Sequence, residues 1–293
     1  MAELETAKSA GFCFGVEKAV NTVYSEIGKS RKIYTYGPII HNENVVEDLR
    51  KQGVGIAMNE DDIVRIAEEC RKDCTPATVI IRSHGVPKKT LDFIREQGLD
   101  VIDATCPFVA RIHRIVEEES AKGSQIVIIG NAGHAEVEGT MGWSCSGASV
   151  IETKEEAQNF TADPEKPVTI VAQTTFSMVK FDELVDILMD KGYNTNVVNT
   201  ICNATRQRQE EAREIASRSD VMIVIGGRNS SNSAKLCDIC RGVCPETYFI
   251  QTVRDLPVLD LGSAKVGITA GASTPKNIIE EVQNYVRTGR REF

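Results

Sequence analysis

Thr78-Val-Ile-Ile-Arg-Ser-His-Gly-Val-Pro, residues 78–87, decides the fold class. A short β-branched run gives way to a loop punctuated by Gly85 and Pro87, and an amphipathic helical pattern continues through Phe93. The same sequence of strand, polar loop and helix recurs along the chain. Lys32-Ile-Tyr-Thr-Tyr leads into a helix from about Glu43, and Val101-Ile-Asp into a long helix to about Lys122. Ile126-Val-Ile-Ile, Val168-Thr-Ile-Val, Val221-Met-Ile-Val-Ile and Val266-Gly-Ile repeat it. Strands alternating with helices predict an α/β fold with parallel sheets and βαβ connections.

Ligands of such sheets bind beyond the carboxyl ends of the strands. The loops there carry Cys13, His41, His84, Cys106, His134, Glu136, Thr174, Thr175, Cys202, Ser230, Asn232 and Ser273. The chain has 4 histidines, and His113 alone falls inside a predicted helix.

Cys13, Cys106 and Cys202 are separated by 93 and 96 residues, each where a strand-like run meets a helical pattern. The near-equal spacing predicts three similar α/β domains, 14–105, 106–200 and 201–283, with 1–13 as an additional segment near a shared centre. Three converging thiolates suit a metal or iron–sulfur site with one open coordination position. Spacing alone leaves three readings: an iron–sulfur cluster, a Cys3His zinc site, and three buried thiols without metal. Cys237, Cys240 and Cys244 have metal-like spacing, yet they read as the apolar stripe of one helix and therefore as core. Cys70, Cys74 and Cys145 read as structural, most of the cysteines being expected as small buried hydrophobes.

A net charge of −8 argues against a general nucleic-acid binder. No run of eighteen apolar residues predicts a membrane span, and the acidic N-terminus does not resemble a signal or transit peptide. Nine cysteines, scattered and odd in number, fit a reducing cytoplasm. The tail Arg287-Thr-Gly-Arg-Arg-Glu-Phe reads as a solvated end.

Two loops look suited to an anion. Arg228-Asn-Ser-Ser-Asn-Ser and Ala270-Gly-Ala-Ser-Thr-Pro each open a helix after a strand, where backbone N–H groups and the helix dipole favour phosphate. Ordinary N-capping explains either loop alone. Together with His41 and His84 they point to a phosphorylated or diphosphorylated ligand. In Gly133-His-Ala-Glu-Val-Glu-Gly and Gln173-Thr-Thr, a carboxylate, an imidazole and hydroxyls could relay a proton to a leaving group.

GFCFGV (11–16), IIHN (39–42), SHGV (83–86), DATCP (103–107), GHAEVEGTMG (133–142), AQTT (172–175), NSSNS (229–233) and TAGAS (269–273) span almost the whole chain. In this order and spacing they resemble the 4-hydroxy-3-methylbut-2-enyl diphosphate reductases, the IspH or LytB family. The resemblance implies three α/β domains in pseudo-three-fold arrangement around a central cavity. It implies a [4Fe–4S] cluster there, with Cys13, Cys106 and Cys202 as ligands and one open iron. His41, His84, Ser230, Asn232 and Ser273 would hold the substrate diphosphate, with His134 and Ser231 nearby. Glu136, with Thr174 and His134, would deliver protons in a two-electron reductive dehydroxylation yielding isopentenyl and dimethylallyl diphosphate. This is the last step of the methylerythritol phosphate pathway. Electrons would come from ferredoxin or flavodoxin.

Overall fold

The computed structural model describes residues 2–29, 31–259 and 261–290. It begins with β1 (Glu3–Thr6) and α1 (Phe14–Glu26). Next come β2 (Lys32–Tyr36), α2 (Glu43–Lys51), β3 (Gly55–Ala57), α3 (Glu60–Asp73), β4 (Ala77–Ile81), α4 (Lys88–Glu96) and β5 (Asp100–Asp103). A second stretch holds α5 (Pro107–Ala121), β6 (Gln125–Ile129), α6 (Ala135–Met141), β7 (Ala148–Ile151), α7 (Lys154–Asn159), β8 (Val168–Ala172), α8 (Met178–Met189) and β9 (Thr195–Val197). The chain ends with α9 (Asn203–Ala216), β10 (Val221–Ile225), α10 (Ser231–Arg241), β11 (Thr247–Ile250), β12 (Lys265–Ala270) and α11 (Lys276–Thr288).

The strands form three four-stranded sheets with orders β3-β2-β4-β5, β7-β6-β8-β9 and β1-β12-β10-β11. Every pairing is parallel. The chain divides into two compact units. The first comprises Met1–Glu17, Ile40–Glu47 and Asn203–Phe293; the second comprises Lys18–Ile39 and Asp48–Cys202. The sheet containing β1 belongs to the first unit, and the other two belong to the second. No helix among the described residues is long and apolar enough to cross a membrane.

Both faces of the central strands are buried, which is why they read as continuous apolar runs. In β10, Ile223 and Ile225 pack with Ile278, Ile279 and Val282 of α11. The alternate residues Met222 and Val224 pack with Ala212 and Ile215 of α9 and Leu236 of α10. In β6, Val127 and Ile129 meet Phe181 and Leu184 of α8, while Ile126 and Ile128 meet Ile112 and Val116 of α5 and Val137 of α6.

Seven strands are legible as apolar runs. The structure adds β1, β3, β7, β9 and β11, all at sheet edges. Edge strands are short and half-solvated, so they need no apolar run; β1 is Glu-Leu-Glu-Thr and alternates between exposed and half-buried. Residues 1–13 are therefore not merely an added segment, because 3–6 complete a sheet by pairing with β12. Arg287 and Thr288 of the expected solvated tail lie in the last turn of α11, and 291–293 lie outside the described residues.

The cysteine stripe is corrected in part. Cys237 and Cys240 lie on the buried face of α10, but the helix ends at Arg241 and Cys244 follows it. All three still pack in one apolar cluster. The Cys240 and Cys244 thiols lie 3.8 Å from the Ala212 carbonyl and 3.5 Å from that of Ser219. Burial pushes the Cys240 thiol up to about 12 and raises those of Cys237 and Cys244. The Cys240 and Cys244 thiols are placed to donate to these carbonyls, which fits protonated thiols packed in the core. Cys70 is buried, in line with the expectation for most cysteines; Cys74 is exposed, against it; and Cys145 is exposed, as the surface-loop reading of Cys145-Ser-Gly-Ala-Ser implies. Cys74 caps α3 in the left-handed conformation. Replacing Cys240 with Ala should lower unfolding free energy by about 1 kcal/mol and leave the metal content of purified protein unchanged. Urea denaturation and elemental analysis check both; loss of metal would return the three cysteines to the candidate ligands.

Candidate active site

In the sheet β7-β6-β8-β9, the chain leaves β6 toward one edge and β8 toward the other. Such a switch point opens a crevice beyond the carboxyl ends of the strands. The loop after β6 carries His134 and Glu136, and the loop after β8 carries Thr174 and Thr175. They are joined directly. Thr174 donates its backbone N–H to Glu136 Oε1 at 2.5 Å and its hydroxyl to Oε2 at 2.6 Å. Glu136 is 2% exposed and Thr174 is 7% exposed. His134 caps α6, accepting the Glu136 N–H at Nδ1 at 3.1 Å. In a neutral ring that bond places the remaining proton on Nε2, so His134 presents a donor there. Gln173 braces the crevice: its amide oxygen accepts the Asn131 N–H at 3.1 Å and its nitrogen donates to Thr175 Oγ1 at 3.1 Å.

Two cysteines are tied to these groups through backbone. Cys202 N–H donates to the Thr174 carbonyl at 3.0 Å, and Cys106 N–H donates to the Ser83 carbonyl at 3.0 Å. The His84 ring meets the His134 ring edge-on at a centroid distance of 5.4 Å. One connected path thus runs Cys106–Ser83, His84–His134–Glu136–Thr174, Cys202. Cys106 and Cys202 are half-buried. Cys106 precedes Pro107 at the start of α5, and Cys202 precedes α9 in the chain. The amino end of a helix favours nearby negative charge.

The His84 loop is locked from behind. Gly85 has φ +71°, and a Cβ there would lie 2.5 Å from His113 Cε1. His113 stacks on Trp143 with centroids 4.9 Å apart and planes 17° apart. The Trp143 indole N–H donates to the Val86 carbonyl at 3.0 Å. Gly142 packs on Pro87 so closely that a Cβ would meet its ring carbon at 2.3 Å. The glycine-rich end of GHAEVEGTMG is thereby explained as a contact surface for SHGVP. The supporting roles of His113, Trp143 and Gln173 have no local sequence pattern beyond the pairing of Gly142 with Trp143 after α6.

The first unit gathers the other motifs around the switch between β10 and β12. Ser230 caps α10, accepting the Ser233 N–H at 3.3 Å. Ser231 is the first residue of that helix. Ser273, after β12, donates its hydroxyl to the His41 carbonyl at 3.2 Å. A Cβ on Gly227 would lie 2.5 Å from that same carbonyl oxygen. Cys13 N–H donates to the Ala272 carbonyl at 3.3 Å, and Cys13 is half-buried at the start of α1. Asn232 is 6% exposed, and neither polar atom of its side chain has a hydrogen-bond partner. A buried amide left unpaired is costly, and a polar ligand at the head of α10 would satisfy it. Every candidate residue thus falls into one of two sets: Cys13, His41, Ser230, Ser231, Asn232 and Ser273 in the first unit, and Cys106, Cys202, His84, His134, Glu136, Thr174 and Thr175 in the second.

A family model described as LytB protein matches residues 4–287. The 4-hydroxy-3-methylbut-2-enyl diphosphate reductase of Caldanaerobacter subterraneus subsp. tengcongensis is 40% identical over 293 residues, covering 99% of this chain and 98% of its own. The protein of the same name from Alkaliphilus oremlandii is 43% identical over 280 residues, covering 94% and 96%. Among solved structures, the E-1-hydroxy-2-methyl-but-2-enyl-4-diphosphate reductase of Plasmodium falciparum superposes with a TM-score of 0.89 at 28% identity, covering 98% of this chain and 88% of that one. An (E)-4-hydroxy-3-methyl-but-2-enyl diphosphate reductase, described as the terminal enzyme of the non-mevalonate pathway, superposes at 0.68 with 40% identity, covering 98% and 99%.

Burial pushes the His113 imidazole down to about 4 from its ordinary 6.5, against a weaker opposing pull from Asp103. The unfolded chain therefore takes up a proton below about pH 6.5 that the folded chain refuses until about pH 4. Stability from this group is full above pH 6.5 and falls as pH drops toward 4. Between pH 7 and pH 5 the loss should be about 2 kcal/mol. His113→Phe keeps a ring against Trp143 and should remove that slope. Urea unfolding followed by fluorescence of the single tryptophan measures it; equal slopes in both proteins would contradict the assignment.

Proposed function

This chain belongs to the LytB family, and we propose that it reduces 4-hydroxy-3-methylbut-2-enyl diphosphate to isopentenyl and dimethylallyl diphosphate. The reaction consumes two electrons and two protons and releases the allylic hydroxyl as water. One observation carries the reading: the buried Glu136 holds Thr174 with its carboxylate and His134 with its backbone N–H, within a path that ends at backbone bonds to Cys106 and Cys202.

The donor chemistry fits a cluster. Cys13, Cys106 and Cys202 are half-buried, outside any disulfide and at the amino ends of helices, whereas Cys240 and Cys244 are buried in an apolar cluster. A [4Fe–4S] cluster held by these three thiolates, with one iron open, would supply electrons and a Lewis acid for the departing hydroxyl.

The remaining work belongs to side chains. When Glu136 takes up a proton at Oε2, the Thr174 hydroxyl, which otherwise donates to that oxygen, accepts it and passes its own proton toward the leaving group. His134 donates from Nε2. His41, His84, His134, Ser230, Ser231, Asn232 and Ser273 bind the diphosphate, and the buried, unpaired Asn232 amide supports this assignment most directly. Contacts remote from the reacting carbon orient the substrate. Burial of Glu136 keeps bulk water from competing for the proton. The reading includes an external donor, ferredoxin or flavodoxin, and a cytoplasmic setting. It also includes three α/β domains, 14–105, 106–200 and 201–283, supported by one sheet's main strands lying within each span.

Glu136→Gln keeps the size of the side chain but cannot carry the proton. It should slow turnover by roughly 100-fold or more while diphosphate affinity and iron content stay near parental values. Steady-state assay with calorimetric product binding checks this; near-parental turnover would remove Glu136 from the proton path. Cys13, Cys106 and Cys202 changed singly to Ser should each impair cluster assembly, read as iron and sulfide per chain.

A further inference from the structure

Cys13 lies in the segment 7–13 between β1 and α1, outside regular structure. Its N–H donates to the Ala272 carbonyl at 3.3 Å and its carbonyl accepts the Glu17 N–H at 2.9 Å, and the residues upstream of it, 8–11, must be fixed as well. Two charged residues on one face of α9 do so. Arg208, 3% exposed, donates from Nε to the Ser9 carbonyl at 3.0 Å and from Nη2 to the Ser9 and Gly11 carbonyls at 2.5 and 2.8 Å. Glu211, three residues on, accepts the Lys8 N–H at 2.7 Å, the Ser9 N–H at 2.9 Å and the Ser9 hydroxyl at 2.5 Å.

Both backbone groups of Ser9 are therefore held, its carbonyl by a cation and its amide by an anion. Charge-assisted bonds of this kind are about twice as strong as neutral ones. Although burial pushes the Glu211 carboxyl up, the bonds from Ser9 and Lys8 hold it below the usual range, so it stays charged. The chain then turns at Gly11, whose φ of +102° a side chain would resist and whose Cβ would lie 3.1 Å from Ile279. Cys13 follows two residues later.

We propose that Arg208 and Glu211 are positioning residues that clamp Lys8–Gly11 and so set the place of the Cys13 thiolate before any cluster is bound. The proposal rests on Cys13 being a cluster ligand, while neither clamp residue is assigned a contact with cluster or substrate. In sequence the pair hides inside Arg206-Gln-Arg-Gln-Glu-Glu-Ala-Arg, which reads as a solvated helix face.

The test uses full-length protein handled anaerobically. Arg208→Gln and Glu211→Gln are compared with the parent. Alkylation by N-ethylmaleimide in the cluster-free form is followed at each cysteine by peptide mass spectrometry, and iron loss to a chelator is followed in reconstituted protein. Each variant should label Cys13 about fivefold faster or more, the effect of losing one or more charge-assisted bonds. Cys106 and Cys202 should stay within about twofold of the parent, and iron should leave faster. If Arg208→Gln does not fold, Glu211→Gln decides. Rates rising together at all three cysteines would show a general stabilising role, and unchanged Cys13 labelling would show no clamp; either result overturns the proposal. Cys13→Ser separates the premise: full iron retention in that variant would remove Cys13 as a ligand, whereas iron loss there with parental behaviour in both clamp variants would overturn the clamp alone.

Discussion

The Glu136 carboxylate accepts both the backbone N–H and the hydroxyl of Thr174 while almost fully withdrawn from water. A buried carboxylate is tolerable only when its oxygens are hydrogen-bonded, so this contact fixes the loop after β6 against the loop after β8. The consequences spread along the chain. The Thr174 carbonyl receives Cys202, and the Glu136 amide fixes the ring of His134, which meets His84. Beside His84, the Ser83 carbonyl receives Cys106. Moving one residue in this series displaces a proposed ligand, an acid and a diphosphate contact together. Sheet order makes it possible, because β6 and β8 are neighbours whose connections depart in opposite directions.

The first unit solves a different problem. Its loops present hydroxyls, an amide and backbone N–H groups at the head of α10. A diphosphate bound there would meet neutral donors arranged by backbone. This choice is compatible with an acidic chain of net charge −8. It also explains why Ser230 and Asn232 are buried though polar: each belongs to the first turn or cap of α10, where donors are concentrated.

The central strands were legible because they are buried on both faces; Val221–Ile225 is apolar at every position. Of the edge strands only β5 was read; Glu3–Thr6 and Thr195–Val197 escaped because each needs only one partner and one sheltered face. The motifs were legible as loops following strands, and each candidate residue lies at such an end. What escaped were the residues that hold the loops: His113 behind Gly85, Gln173 between Asn131 and Thr175, and Arg208 across Ser9. Their partners are mostly backbone groups distant in sequence, so no local spacing announces them. Cys244 shows the opposite error. Its spacing from Cys237 and Cys240 suggests one helix, yet Gly242 has already ended it, and only packing returns the thiol to the same cluster.

The proposed function requires three thiolates from motifs distant in sequence to hold an iron–sulfur cluster with one iron open to the substrate. The most direct measurement is an anaerobic Mössbauer spectrum of protein reconstituted with ⁵⁷Fe, recorded with and without 4-hydroxy-3-methylbut-2-enyl diphosphate. The account requires one iron distinct from three others and a change in that iron alone when the diphosphate is added. Four equivalent irons indifferent to the diphosphate, or no cluster at all, would contradict it.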